Sequence, residues 1–143
     1  MKLVLAVLAD FASVTQDGKL NILGIFHELN PPVLPFPFPQ MFLVASFEAE
    51  PAEYGKRHSM RVVLRDKNDD NAEMLSLEGE VQTPKPARPE AVGYVNQAIG
   101  LSGVTFEHAG DYVFSILVNG EEKATVPLRV NEVGNDTSGG PDV

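Results

Sequence analysis

Short runs of alternating apolar and polar residues recur along the chain, and turn residues separate them. Such runs predict β-strands, because successive side chains of a strand point to opposite faces. Glycine and proline, at 12 and 11 residues, are spread through the chain and would interrupt a long helix. The predicted strands are residues 2–11, 19–28, 41–49, 57–65, 74–82, 94–106, 111–118 and 122–130. Strands at this spacing predict an all-β, two-sheet sandwich of about eight mostly antiparallel strands, immunoglobulin-like or jelly-roll-like.

The hairpin of residues 57–82 has a register that its own faces predict. Matching apolar side chains across the pair places Val62 opposite Leu77. The same register sets Arg61 opposite Glu78, and an opposite-charge cross-strand pair contributes about 0.2–1 kcal/mol. A slip by one residue would lose both matches, so we expect this register.

The last hairpin has conflicting signals. The dipeptide Asn119-Gly120 favours a two-residue turn, but that turn would set the apolar Ile116 opposite Lys123. A three-residue loop that includes Glu121 restores apolar residues opposite each other. We expect the longer loop, because burial of one face specifies register strongly.

The segment from His108 to Phe114 resembles the tyrosine corner of immunoglobulin-like sandwiches. In that motif a tyrosine two residues before a core position ties its hydroxyl to upstream backbone. Tyr112 takes the tyrosine position here, and Phe114 stands where those domains carry a cysteine. The chain has no cysteine and no tryptophan, which excludes an antibody-type domain.

The opening of the chain is similar to that of a family of small bacterial domains of unknown function. The similarity lies in Asp10, the turn Gly18-Lys19-Leu20 and Gly24 of the second strand, and in the Gly-x-Tyr-x-Phe strand that starts at Gly110. It extends over about residues 1–130. The resemblance implies a β-sandwich of bacterial origin and no assigned activity.

The length of 143 residues suits one domain, which we place at residues 1–130, with a polar, disordered tail at 131–143. The chain carries 20 acidic and 11 basic residues, a formal charge of −9. This balance disfavours nucleic acid and anionic membrane as partners.

The apolar run Leu3 to Ala9 is interpreted as a strand buried on both faces and not as a secretory signal peptide. The expected location is therefore the cytoplasm.

Catalytic and cofactor-binding patterns are weak. The three histidines lie far apart, and the absence of cysteine excludes thiolate metal sites. The stretch Gly100-Leu101-Ser102-Gly103 falls short of a nucleophile elbow, because position 104 is valine. The sequence therefore predicts no enzyme and no cofactor, with calcium as the open alternative.

That alternative rests on Asp66, Asn68 and Asp70, which follow the Asp-x-Asn-x-Asp spacing of calcium loops. The sixth position should be glycine and is Asn71, and the twelfth should be glutamate and is Leu77. A polar hairpin loop explains the same residues without a metal. A ligand-binding sandwich with a weak calcium site is the alternative function.

The segment Pro31–Pro39 is the candidate for recognition of a partner. Phe36 and Phe38 alternate there with Pro35 and Pro37. The two rings either pack into the core or form an exposed patch that binds a partner. The leading hypothesis is a non-catalytic binding or assembly module, with a protein partner or a homo-oligomer, for which these four residues form the interface.

Overall fold

The computed structural model describes residues 1–132, and eleven β-strands account for most of them. The strands are β1 (Lys2–Val14), β2 (Leu20–Phe26), β3 (Glu28–Leu29), β4 (Phe36–Phe38), β5 (Met41–Ala49), β6 (Arg57–Asp66), β7 (Ala72–Gln82), β8 (Gly93–Leu101), β9 (Val104–Phe106), β10 (Gly110–Val118) and β11 (Glu121–Val130). Two single-turn 3₁₀ helices, Pro51–Glu53 and Lys67–Asp69, join them, and within residues 1–132 no helix is long and apolar enough to cross a membrane.

The strands form two larger sheets and one small one. The first sheet has the order β2-β1-β5-β8, the second has β3-β11-β10-β6-β7, and β4 pairs with β9. The predicted all-β sandwich is therefore confirmed, and each of the eight predicted runs contains a strand. The run 94–106 is two strands, because Gly103 turns the chain with a φ of +66°. The short strands β3 and β4 were not predicted, and the predicted tail from residue 133 onward lies outside the described residues.

The core lies between the facing sides of the two larger sheets. It is built from alternate positions of β5, β6, β10 and β11, as the alternating pattern of the sequence requires. Phe47 of β5 and Phe114 of β10 are both fully buried. The run Leu3 to Ala9 is a strand, but the prediction that it is buried on both faces is wrong, because Leu3 and Val4 are exposed.

The register of β6 and β7 is the predicted one. Val62 pairs with Leu77, and Arg61 pairs with Glu78. The Arg61 guanidinium also reaches Glu73, at 2.9 Å, on the same outer face. Cross-strand charge pairs thus cover the solvent side of this hairpin, while its apolar side faces the core.

The last hairpin satisfies both of its conflicting signals, and the predicted three-residue loop is wrong. Asn119 and Gly120 form a two-residue turn with positive φ angles of 52° and 81°. A β-bulge between Ile116 and Leu117 then absorbs one extra residue of β11. Ile116 therefore pairs with Ala124 instead of Lys123, and apolar side chains face each other.

Strand β1 bends between its two halves, and the bend shapes the surface of the first sheet. Residues 2–9 pair with β5, whereas residues 8–14 pair with β2. Gly18, in the β1–β2 turn, accepts a hydrogen bond from Asn96 Nδ2 of β8 at 3.0 Å. Because β5 lies between β1 and β8, the β1–β2 hairpin must cross the outer face of β5. This crossing explains why Val44, which points away from the main core, is also fully buried.

Gly24 lies in β2 beside the bend and has a φ of +74°. A Cβ atom at this position would collide with the carboxylate of Asp10. Glycine is therefore required at position 24 for two reasons, the positive φ of the backbone and the close approach of Asp10. Asp10 and Gly24 belong to the residues that carry the family resemblance, and the fold brings them together.

We predict that Gly24→Ala destabilises the protein by about 1–3 kcal/mol, because alanine is strained at this φ and its Cβ meets Asp10. Denaturant unfolding measures the change. The double variant Asp10→Ala with Gly24→Ala should recover only the part due to the collision. A Gly24→Ala protein as stable as the wild type would contradict this account of the bend.

Candidate functional site

The proline-rich segment ends in β4, which pairs with β9 and carries both of the phenylalanines singled out by the sequence. Phe36 packs edge-on against Phe38 at 5.0 Å between ring centroids, and Phe38 packs against the buried Phe106 at 5.9 Å. Both rings are half-buried, and Pro35 and Pro37 are exposed. Phe38 thus belongs partly to the core and Phe36 lies above it, while their role as anchors for a partner stays a prediction.

The predicted calcium ligands lie in the β6–β7 loop, where other contacts use some of their oxygen atoms. Asp66 Oδ1 accepts hydrogen bonds from the backbone N–H and the side-chain amide of Asn68. Asp66 Oδ2 lies 2.8 Å from His108 Nε2. Asp70 is exposed, with a left-handed φ of 53°. Within residues 1–132 no group of three or more His, Asp or Glu side chains could hold a metal ion, and the calcium site stays a prediction.

His108 connects this loop to the turn before β10. Its Nδ1 lies 3.0 Å from the backbone oxygen of Ala109, and its Nε2 faces the Asp66 carboxylate. Both partners are acceptors, so both ring nitrogens donate when the imidazole is protonated. The Ala109 carbonyl and the Asp66 carboxylate accordingly raise the pKa of His108, against the effect of desolvation.

The tyrosine corner predicted at Tyr112 is present. Its hydroxyl donates a hydrogen bond to the backbone oxygen of His108 at 2.6 Å, and its ring is buried against Phe106. Burial raises the pKa of Tyr112 above its usual value. Gly110 has a φ of +141°, and a Cβ there would collide with the Asn68 amide. These contacts hold the β9–β10 turn against the acidic loop.

The β1–β2 hairpin carries an exposed apolar surface that sequence reasoning did not single out. Phe11, Leu23 and Ile25 are 48%, 69% and 51% exposed. Phe11 pairs with Leu23, and Ile25 pairs with Ala9, so all three lie on one face. We call these three residues the hairpin patch. Phe11 also packs edge-on against Phe42 of β5, at 5.3 Å.

The strand that carries most of this patch is also an edge. β2 is the outer strand of the first sheet, and its sequence Leu-Asn-Ile-Leu-Gly-Ile-Phe contains no charged residue and no proline. Edge strands usually carry charges or prolines that prevent pairing with other chains. The uncharged run was visible in the sequence, but only the topology shows that it forms an edge.

Residues 4–131 match the model of a family described as "Family of unknown function (DUF6941)". The chain matches no curated protein. A similar solved structure is that of Pseudomonas fluorescens alkylpurine DNA glycosylase AlkC bound to DNA containing an abasic site analog. It shows 12% identity and a TM-score of 0.43, over 73% of this chain and 27% of that chain. The chain thus spans about a quarter of that protein, and at this TM-score the likeness carries no argument.

We predict that His108→Gln lowers stability more in acid than in alkali. The raised pKa of His108 means that its protonated form stabilises the fold. This contribution is fully present below the unfolded pKa of about 6.5 and is lost as pH rises through the folded pKa. We expect a difference below about 1 kcal/mol, because the imidazole is half-exposed. Urea unfolding of both proteins on either side of neutral pH measures it.

The variant His27→Gln is the control, because it removes an exposed histidine outside this network. An equal loss for His108→Gln at both pH values would show that the contact with Asp66 does not depend on the imidazole charge.

We predict different effects for the two phenylalanines of β4. Phe38→Ser should cost about 1–3 kcal/mol, because it removes a ring packed on Phe106. Phe36→Ser should cost about 1 kcal/mol or less, since it loses mainly one aromatic pair. Thermal unfolding followed by circular dichroism compares them. Equal losses would contradict a larger role for Phe38, which packs on the buried Phe106.

Proposed function

The chain belongs to the family described as "Family of unknown function (DUF6941)", and we propose that it is a binding or assembly module that acts without catalysing a reaction. The observation that carries the proposal is the hairpin patch on the uncharged edge strand β2. Exposed groups of large apolar side chains commonly mark sites where proteins associate. The proposal places this module in the cytoplasm of a bacterial cell.

The patch is suited to association because its side chains lose much water-exposed area when covered. Leu23 is the most exposed of the three, at 69%. Covering such side chains stabilises a complex by about 25 cal/mol for each Å² of apolar surface removed from water. Among residues 1–132 no strand pairs with the outer edge of β2, so this edge adds backbone hydrogen-bonding groups to the same surface.

The charge distribution favours the β2 edge over other surfaces for contact with a second copy. Each chain has a formal charge of −9, so two copies repel each other through most of their surfaces. β2 carries no charge, whereas β7, the outer strand of the second sheet, exposes Glu78 and Glu80. Two β2 strands related by a two-fold axis can pair antiparallel without placing like charges opposite each other.

The polar cluster best placed for chemistry has structural partners, which supports a non-catalytic role. The Tyr112 hydroxyl donates a hydrogen bond to the backbone oxygen of His108, and both ring nitrogens of His108 face acceptors. A general base or a nucleophile needs a free lone pair directed at a substrate. His108 has none when protonated, and its neutral form keeps one N–H, which can donate to only one of the two acceptors.

We predict that the protein self-associates at about 100 µM, a concentration at which weak dimers with micromolar Kd values are populated. The double variant Leu23→Ser with Ile25→Ser should be monomeric, because it removes the two most exposed side chains of the patch. Light scattering coupled to gel filtration measures the mass, and circular dichroism verifies the fold.

Two single variants serve as controls. Val92→Ser removes an apolar side chain of similar exposure, 45%, in the connector between β7 and β8, and should leave the mass unchanged. Phe36→Ser tests the segment that the sequence favoured. A wild-type monomer at all concentrations, or a double variant that associates like the wild type, would overturn the proposed self-association through β2. Loss of association in Phe36→Ser alone would move the surface to β4.

A further inference from the structure

The sandwich has an opening between an outer strand of one larger sheet and an outer strand of the other. β7 ends the second sheet and β8 ends the first, and the opening between them leads to a cavity of about 150 Å³. The lining is mostly apolar, and its polar members are Glu78, Glu80 and Gln97. Its apolar side chains are Met60, Val62, Leu77, Val81 and Ile99, and Gly79 completes it.

Gly79 creates the space in this opening. Leu77, Gly79 and Val81 occupy alternate positions of β7 and therefore face the cavity together. A Cβ atom at Gly79 would meet nothing within 4 Å, and its φ lies outside the region that favours glycine. Neither strain nor crowding requires glycine here. The missing side chain leaves a gap, which we call the Gly79 notch.

The outer edge of β7 can accept another strand. Within residues 1–132, no strand pairs with that edge. Its solvent-facing positions are acidic, since Glu78 and Glu80 are 78% and 67% exposed. Their nearest basic groups are loosely placed, with Arg61 4.0 Å from Glu78 and Arg57 3.7 Å from Glu80. A strand added beside β7 would therefore place its own outer side chains next to two carboxylates.

We infer that the β7 edge binds an extended segment of a partner protein in which apolar and basic residues alternate. The segment pairs with β7 through backbone hydrogen bonds, as in other cases of strand addition. One face of it is directed at the cavity, where an apolar side chain enters the Gly79 notch. The other face places lysine or arginine beside Glu78 and Glu80, which is the favourable cross-strand arrangement.

A second copy of this chain does not fit the same edge in the same way. Antiparallel pairing of two β7 strands would bring Glu78 and Glu80 of both copies together, and like charges placed opposite each other destabilise a sheet. The charge of the edge thus selects a basic partner. The lining of this site contains no residue of β2, and the inference does not depend on the proposed function.

The test uses synthetic peptides and the intact protein. The probe is a fluorescently labelled peptide of alternating valine and lysine, and anisotropy measures its binding. We expect a Kd of about 10–100 µM, weakened by added salt. Two matched peptides separate the contributions. Serine in place of valine keeps the charge and loses the apolar face, whereas glutamate in place of lysine keeps the apolar face and reverses the charge. Both should bind at least about tenfold more weakly.

Variants of the protein complete the test. Gly79→Val fills the notch and should weaken binding at least about tenfold, while the protein still folds because that space is empty. The double variant Glu78→Gln with Glu80→Gln should weaken binding and reduce its salt dependence. Leu23→Ser with Ile25→Ser should leave binding unchanged, so failure here and failure of self-association are separable.

Three results would overturn the inference. The first is no binding of the valine–lysine peptide at about 1 mM, the limit of useful affinity for such a contact. The second is equal binding to Gly79→Val and to the wild type. The third is equal binding of the serine–lysine and valine–lysine peptides. That result would show that binding is only the electrostatic attraction between a basic peptide and an acidic protein.

Discussion

The bend of β1 is the constraint on which the surface of this protein depends. Residues 2–9 pair with β5, whereas the residues that follow pair with β2 and no longer with β5. The close approach of the Asp10 carboxylate to Gly24, at a backbone conformation suited to glycine, accompanies this change of partner. The hairpin crosses the outer face of the first sheet, which covers Val44 and leaves Phe11, Leu23 and Ile25 exposed. One local feature thus decides which apolar residues are buried and which are available for contact.

The tyrosine corner holds the turn between β9 and β10 against the β6–β7 loop through polar contacts. Tyr112 connects to the His108 backbone, His108 connects to Asp66, and Asn68 bridges Asp66 to the backbone of Asp111. The ring of Tyr112 continues inward through Phe106 to Phe38, so the polar network and the aromatic core share one residue. Asp66 and Asn68 of the predicted calcium site, and Phe38 of the predicted partner site, therefore also have structural contacts in this corner.

The sheet edges differ in chemistry, and this difference suits them to different partners. The β2 edge is uncharged and apolar, which suits a second copy of an acidic chain. The β7 edge is acidic and borders a mostly apolar cavity, which suits a basic, extended segment. A module with two chemically distinct edges can join identical chains through one and a different partner through the other.

The sequence by itself determined the longer strands, the register of β6 with β7 and the tyrosine corner, because each follows from alternation or spacing among near neighbours in the chain. It left the last turn wrongly assigned, since a bulge at Ile116 can satisfy turn and face together and has no signature of its own. The surfaces depended on tertiary structure. That β2 is an edge, that β1 bends and that Gly79 opens a cavity toward β8 all result from contacts between distant segments. Local pattern reports which side chains share a face, and only the packed sheets decide what covers that face.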